Sequence, residues 1–294
     1  MVKQPETRNT ILHTGLHAVG RTEIIAVLVT EPLSELFSDP TYSEFLSGIT
    51  EELSESSYLP VILQASSTHE RNRAREHFER RSFDAVIDVS PYKGSELLEV
   101  LCELGVPTVL CGQLEGHPYR DVFSTVYSDD EEGGRFAALA MKERGRKDIV
   151  AVLGPQDNPA VVDRLRGYRA VLGEDLPDAN VIYTGWNNGD GYQAMHQILA
   201  REIAFDGVLC GSDRIAAGVI TALNEAGLSV PADISVVGFD DHEIATRCVP
   251  ALTTVRQPLR EEGHMAANIA LDMIKGAEPT TSVMHMQLIQ RDSL

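Results

Sequence analysis

The chain has 294 residues, 43% hydrophobic and 23% charged, a composition that excludes a disordered, collagen-like or disulfide-scaffold protein. That length lies where a single core stops growing, so one large lobe or two smaller ones are expected. Asp and Glu outnumber Lys and Arg by 44 to 25, a net charge of −19; because phosphate backbones are gripped by clustered cations, these residues by themselves are not expected to hold DNA, and the acidic balance reads as a solubility feature.

The N-terminal stretch MVKQPETRNTILHTGLHAVG has no continuous apolar core, so no secretory signal is predicted. No apolar run approaches the roughly 20 residues that cross a bilayer, and no membrane contact is expected. Cys102, Cys111, Cys210 and Cys248 form no C-x-x-C pair, which predicts free thiols in a reducing cytoplasm.

From Ile24 onward, short apolar runs alternate with helix-length amphipathic stretches. The runs are IIAVLV from Ile24, VILQ from Val61, AVIDV from Ala85, TVLC from Thr108, IVAVL from Ile149, VIY from Val181, GVLC from Gly207 and ISVVGF from Ile234. They are too short for helices and too apolar for half-exposed strands, so they read as central strands of parallel sheet covered on both faces. Residues 213–226 place Ile215, Val219, Ala222 and Leu223 on one helical face, with Ser212 as N-cap and Gly227 as stop. Residues 259–275 group Ala266, Ala270, Met273 and Ile274, and Gly276 ends that run. Repeated β-α units predict an α/β, doubly wound architecture with right-handed crossovers. Polar breaks at YSDDEEGG (residues 127–134) and TTVRQP (residues 253–258) suit two sheets joined by several crossings.

In such sheets ligands bind beyond the carboxyl ends of strands, where helix N-termini offer free N–H groups. That rule selects Thr30–Thr41, Gln113, Asp129, Gly154–Val162, Trp186–Asn188, Ser212–Arg214 and Asp240–Asp241. Polar groups beside aromatic faces describe a pocket for a polyhydroxylated or heterocyclic small molecule. Trp186, the sole tryptophan, sits in the polar segment TGWNNGDG and is either a stacking platform or a rim residue. Asp240 is the expected ligand contact of the pair after VVGF. The run Asp129–Glu132 reads mainly as a solvated face that complements a helix dipole, and its spacing fits no calcium loop. The scattered histidines, His242 among them, are expected at the surface. There is no G-x-S-x-G elbow, H-E-x-x-H or Walker loop, so neither catalysis nor a cofactor is expected.

The segments GSDRIAAGVITALNEAGLSVPADISVVGFDD (residues 211–241), PALTTVRQPLREEGHMAANIALDMI (250–274), DDEEGGRFAALAMKERGRKDIVAVLGP (129–155) and DRLRGYRAVL (163–172) resemble the lactose-repressor (LacI/GalR) family of bacterial transcription regulators, in order along more than nine-tenths of the chain. The resemblance implies two lobes like those of type I periplasmic binding proteins, joined by three crossovers. The implied division is residues 24–144 with 258–284, and 145–257 with 285–294. It further implies a cytoplasmic homodimer whose small-molecule effector, sugar or similar, sits in the interlobe cleft and controls operator binding. Contacts carried over by position are Phe37, Asp39 and Thr41 on the loop after the first strand, Asn158, Val162, Trp186 as the stacking position, Ser212 and Asp240. Val162 falls where many sugar-binding relatives carry an arginine, which implies a less polar effector or a donor supplied by Arg214. Only 23 residues precede Ile24, where the family has about 60 of helix-turn-helix and hinge. Residues 1–23 are therefore expected to be a remnant or linker without a complete DNA-reading headpiece. The alternative from another class is the solute-binding protein of a transporter, which shares the fold.

Overall fold

A computed structural model of the chain describes residues 20–89, 96–112, 119, 121–201 and 203–294. The expected N-terminal remnant, apart from residues 20–23, and Gln113 lie outside the described residues.

The first apolar run, IIAVLV, becomes β1 (Ile24–Val29), with every residue after Ile24 buried. Then come α1 (Leu33–Ser38), α2 (Pro40–Leu53), β2 (Leu59–Gln64), α3 (Thr68–Glu79), β3 (Ala85–Asp88), α4 (Glu96–Leu104), β4 (Thr108–Cys111) and β5 (Ser124–Ser128). The second lobe follows with α5 (Asp130–Glu143), β6 (Ile149–Leu153), α6 (Pro159–Leu172), β7 (Val181–Tyr183), α7 (Asn188–Leu199), β8 (Gly207–Cys210), α8 (Asp213–Glu225), β9 (Ser235–Asp240), α9 (Glu243–Arg247) and β10 (Thr253–Arg256). The chain then returns through α10 (Leu259–Ile274) and β11 (Thr281–Met284) to the first sheet, and ends in the second with β12 (Gln287–Ile289).

Each sheet has six strands among the described residues, in the orders β11-β5-β4-β3-β1-β2 and β12-β10-β9-β8-β6-β7. All pairings are parallel except β10 with β12. The chain therefore passes three times between two doubly wound sheets, after Ser128, after Arg256 and after Met284. The winding reverses between β1 and β3 in one sheet and between β6 and β8 in the other. Open α/β sheets hold ligands at such reversals.

The eight apolar runs are all strands. Two are edge strands not covered on both faces: β2 leaves Leu59, Val61 and Ile62 exposed, and β7 leaves Tyr183 exposed. Four further strands, β5 and β10 to β12, are short and rich in Ser, Thr or Gln. The expected lobe boundary after residue 144 also differs. Helix α5 packs on α6, β9, β10 and β12, and its Ala137, Ala138 and Met141 join Leu165 and Tyr168 in the second lobe's core. That small-residue face fits the second sheet, so the first crossing falls at Asp129, ahead of the helix. Cys111 and Cys210 are buried, Cys102 and Cys248 half-buried, and all four are free thiols.

The helix pairs α5/α6 and α7/α8 each cross at reciprocal glycines. A Cβ on Gly134 would lie 2.4 Å from the Arg164 carbonyl oxygen, and one on Gly218 would lie 2.0 Å from that of Asn188 and 2.6 Å from the Tyr192 nitrogen. Alanine at position 218 gains helix propensity worth about 1 kcal/mol, while overpacking against backbone costs roughly 1–3 kcal/mol or more. The backbone contact cannot be relieved by a rotamer change, so the cost wins. Gly218→Ala is expected to lower the urea midpoint, and an unchanged or raised midpoint would show that the helices separate freely.

Candidate functional site

The cleft between the sheets is built where helix N-termini converge. Asp39 caps α2 by accepting from Thr41 N at 3.0 Å, Asn158 caps α6 through Ala160 N at 3.0 Å, Ser212 caps α8 through Ile215 N at 3.1 Å, and Asp129 caps α5 through Glu132 N at 2.8 Å. The resulting cavity of about 630 Å³ lies within the roughly 300–1,000 Å³ usual for small-molecule sites.

Six of the eight expected site residues line this cavity: Asp39, Thr41, Asn158, Trp186, Ser212 and Asp240. Two do not. Phe37 is 79% exposed at the end of α1, and Val162 is 49% exposed on the outward side of α6. The arginine expected at position 162 is supplied two residues later. Arg164 is only 4% exposed and lines the cleft. Its Nε donates to Asp130 Oδ1 at 2.7 Å, its Nη1 donates to the Gly211 carbonyl and lies 3.6 Å from Asp240 Oδ1, and its guanidinium stacks 3.8 Å from the Phe239 ring centroid. The ground for expecting a less polar effector, the absence of an arginine from this wall, is therefore removed, and Arg214, the other expected donor, also lines the cleft.

Asp240 and Asp241 divide their labour. Asp241 is held between Arg256 at 2.7 Å and Arg291 at 2.6 Å. Asp240 faces the cleft and accepts from Gln257 Nε2 at 2.7 Å. Its φ of 104° is a left-handed conformation, a cost of about 1–3 kcal/mol for a non-glycine residue. Such strain persists only where the surroundings impose it, here at the carboxyl end of β9.

Charge in the second-lobe wall does not balance. One guanidinium faces two buried carboxylates, Asp130 and Asp240. Burial pushes both carboxyls above the usual aspartate range; Arg164 pulls Asp130 back down, while His242, 3.6 Å from Asp240, and then Arg164 pull Asp240 down. Burial also opposes the Arg164 charge, but Asp130 and Asp240 outweigh it and raise its pKa. A ligand that donates hydrogen bonds relieves this excess of acceptors.

Trp186 is half-buried at the start of the turn leading to α7, and its indole lies over Gly154, where a Cβ would sit 2.5 Å from the ring. It packs against both core clusters of the second lobe and stands 5.9 Å from the Arg164 guanidinium. It is thus both a packed residue and a cleft wall.

The acidic run is not a solvated face. Asp129 is a cap, Asp130 pairs with Arg164, Glu131 pairs with Arg135 and Arg166, and Glu132 accepts from Met286 N at the third crossing. His242 is likewise not a surface histidine. It is 5% exposed, its backbone N–H donates to Asp213 Oδ2 at 2.8 Å, and its Nε2 lies 3.4 Å from Thr41 Oγ1 of the other lobe. Asp39 pairs with Arg214 across the same gap. These contacts latch the rim of the cleft, and the buried Arg214 Nε has no hydrogen-bond partner among the described residues.

The first-lobe wall carries a group that local sequence signals do not reveal. Glu262, 6% exposed on α10, accepts from Ser128 Oγ at 2.7 Å. Burial pushes its carboxyl up to about 8.

Residues 138–294 match the family model of the periplasmic binding protein-like domain. The chain is 33% identical over 278 residues to the HTH-type transcriptional regulator CelR of Thermobifida fusca, covering 93% of this chain and 82% of that protein. Among solved structures, the complex of transcriptional regulator CelR with cellobiose superposes with a TM-score of 0.88 at 33% identity, covering 93% and 85% of the two chains. A LacI family transcriptional regulator from Enterococcus faecium with bound ribose gives 0.78 at 27% identity, covering 92% and 98%. These relatives are regulators rather than enzymes. No helix among the described residues is long and apolar enough to cross a membrane.

Proposed function

The chain belongs to the LacI family of transcriptional regulators, and on that premise we propose that its cleft binds a neutral mono- or disaccharide as effector. The observation that carries this reading is the Arg164–Asp130–Asp240 cluster set beside Trp186. Fixed donors and acceptors around one buried cation match a ring of hydroxyls, and an indole face matches the apolar face of a pyranose. Relatives that bind cellobiose and ribose support the same class.

The ligand bridges two lobes already latched by Asp39–Arg214, so it acts by favouring one lobe arrangement over another. We place the protein in the cytoplasm as a homodimer, in which that shift changes how paired DNA-reading domains meet an operator. Sedimentation at micromolar protein checks the dimer.

The ligand reading is tested by calorimetry with cellobiose, ribose and a panel of neutral saccharides. One member should bind, and Trp186→Ala should weaken it by on the order of 1–3 kcal/mol through lost stacking and burial. Equal affinity in the variant would remove Trp186 from the site. A panel with no binder would defeat the saccharide reading.

A further inference from the structure

We infer that Glu262 is a specificity-determining residue of the first-lobe wall, an uncharged carboxylic acid that donates a hydrogen bond to an acceptor oxygen of a neutral ligand. The inference rests on the saccharide reading above and deepens it.

Glu262 enters the cleft from the first turn of α10, just after the chain recrosses into the first lobe. The groups around it supply no cation among the described residues, and burial outweighs the Ser128 hydrogen bond that favours its ionised form. Ser128 at the end of β5 donates to Oε2 at 2.7 Å. Asp130 at the start of α5 adds negative charge, and Cys111 at the end of β4 feels both Glu262 and Asp88 of β3. From α2, the side facing Glu262 offers Tyr42 and Phe45 to the cleft. The charged residues of that helix, Glu44, Glu51 and Glu52, instead pair with Arg260 and His264 on the outer face of α10. No cation among the described residues lies within ion-pair distance of Glu262. A carboxylate there is desolvated and repelled, so the proton stays, consistent with the upward shift to about 8.

With Oε2 occupied by Ser128, the acid has one O–H to give. The donor suits a ring, glycosidic or hydroxyl oxygen.

The test has a ligand-free arm and a ligand arm. Carbon-13 NMR of side-chain carboxyls should show a glutamate resonance titrating near pH 8, a value that follows from the shift above, and Glu262→Gln should remove it. Its absence overturns the inference whatever binds. For the tightest-binding saccharide of the neutral panel, wild-type affinity should fall roughly tenfold per pH unit above the transition. Glu262→Gln, whose amide still donates, should flatten that profile, and Glu262→Leu, which cannot donate, should weaken binding at every pH. Identical pH profiles in wild type and Glu262→Gln overturn the donor role. A titrating Glu262 in a protein that binds no neutral saccharide overturns the saccharide reading, and the neutral-ligand assignment with it.

Discussion

Arg164→Met is expected to abolish effector binding and to destabilise the second lobe by roughly 3–5 kcal/mol, the usual cost of removing one member of a buried ion cluster. Methionine restores much of the aliphatic volume between Phe239 and Trp186, so packing alone does not account for the loss. What remains is electrostatic: Asp130 and Asp240, both buried, lose the cation 2.7 Å and 3.6 Å away, and the Gly211 carbonyl loses its donor. The two effects separate in a second variant. Adding Asp130→Asn removes one uncompensated charge and should recover part of the urea midpoint, while affinity stays lost because the ligand clamp is still missing. Recovery of both together would mean that Arg164 acts through stability alone.

Glu262→Gln is expected to stabilise the protein, increasingly so as pH rises. The carboxyl has a folded-state pKa of about 8 against 4.5 as the ordinary value. A raised folded-state pKa contributes stability that is fully present below about pH 4.5 and is lost as pH climbs through about 8. At higher pH the folded state holds a buried carboxylate or must take up a proton, a penalty on the order of 4–5 kcal/mol. Glutamine keeps the acceptor for Ser128 Oγ and never ionises. Urea denaturation should therefore show nearly equal stabilities at pH 4.5 and a gap of several kcal/mol at about pH 9. A constant gap across that range would show that Glu262 titrates as an ordinary surface carboxylate.

The two sheets were legible because buried parallel strands write themselves as unbroken apolar runs, as in IIAVLV and IVAVL. The strands β5 and β10 to β12 were not, because STVYS and TTVR carry hydroxyls whose bonds are made in three dimensions: Thr254 Oγ1 donates to Asp213 Oδ1, and Ser124 Oγ accepts from Thr280 N. The placement of α5 was hidden for a similar reason, since a face of Gly and Ala names no partner until α6 is seen against it. In the site, residues at strand ends and caps could be located from the winding rule. Arg164 could have been found from its helix: positions 162 and 164 lie about 200° apart around α6, so an exposed Val162 puts Arg164 on the inner face. Glu262 offers no such signal. Beside Glu261 in the first turn of α10 it reads as dipole complement, and only the packing of α10 on the first sheet shows it buried. His242 is equally silent, because its burial depends on Asp213, twenty-nine residues earlier.

The proposed saccharide site lies between the two lobes, against the wall that carries Arg164. As the sole tryptophan, Trp186 reports on that space by itself. A titration of its intrinsic fluorescence with the saccharide that most raises the melting temperature should give a saturable change, with the same dissociation constant as calorimetry. A saccharide that binds and stabilises the protein while Trp186 emission stays constant would place the ligand outside the cleft and contradict the account.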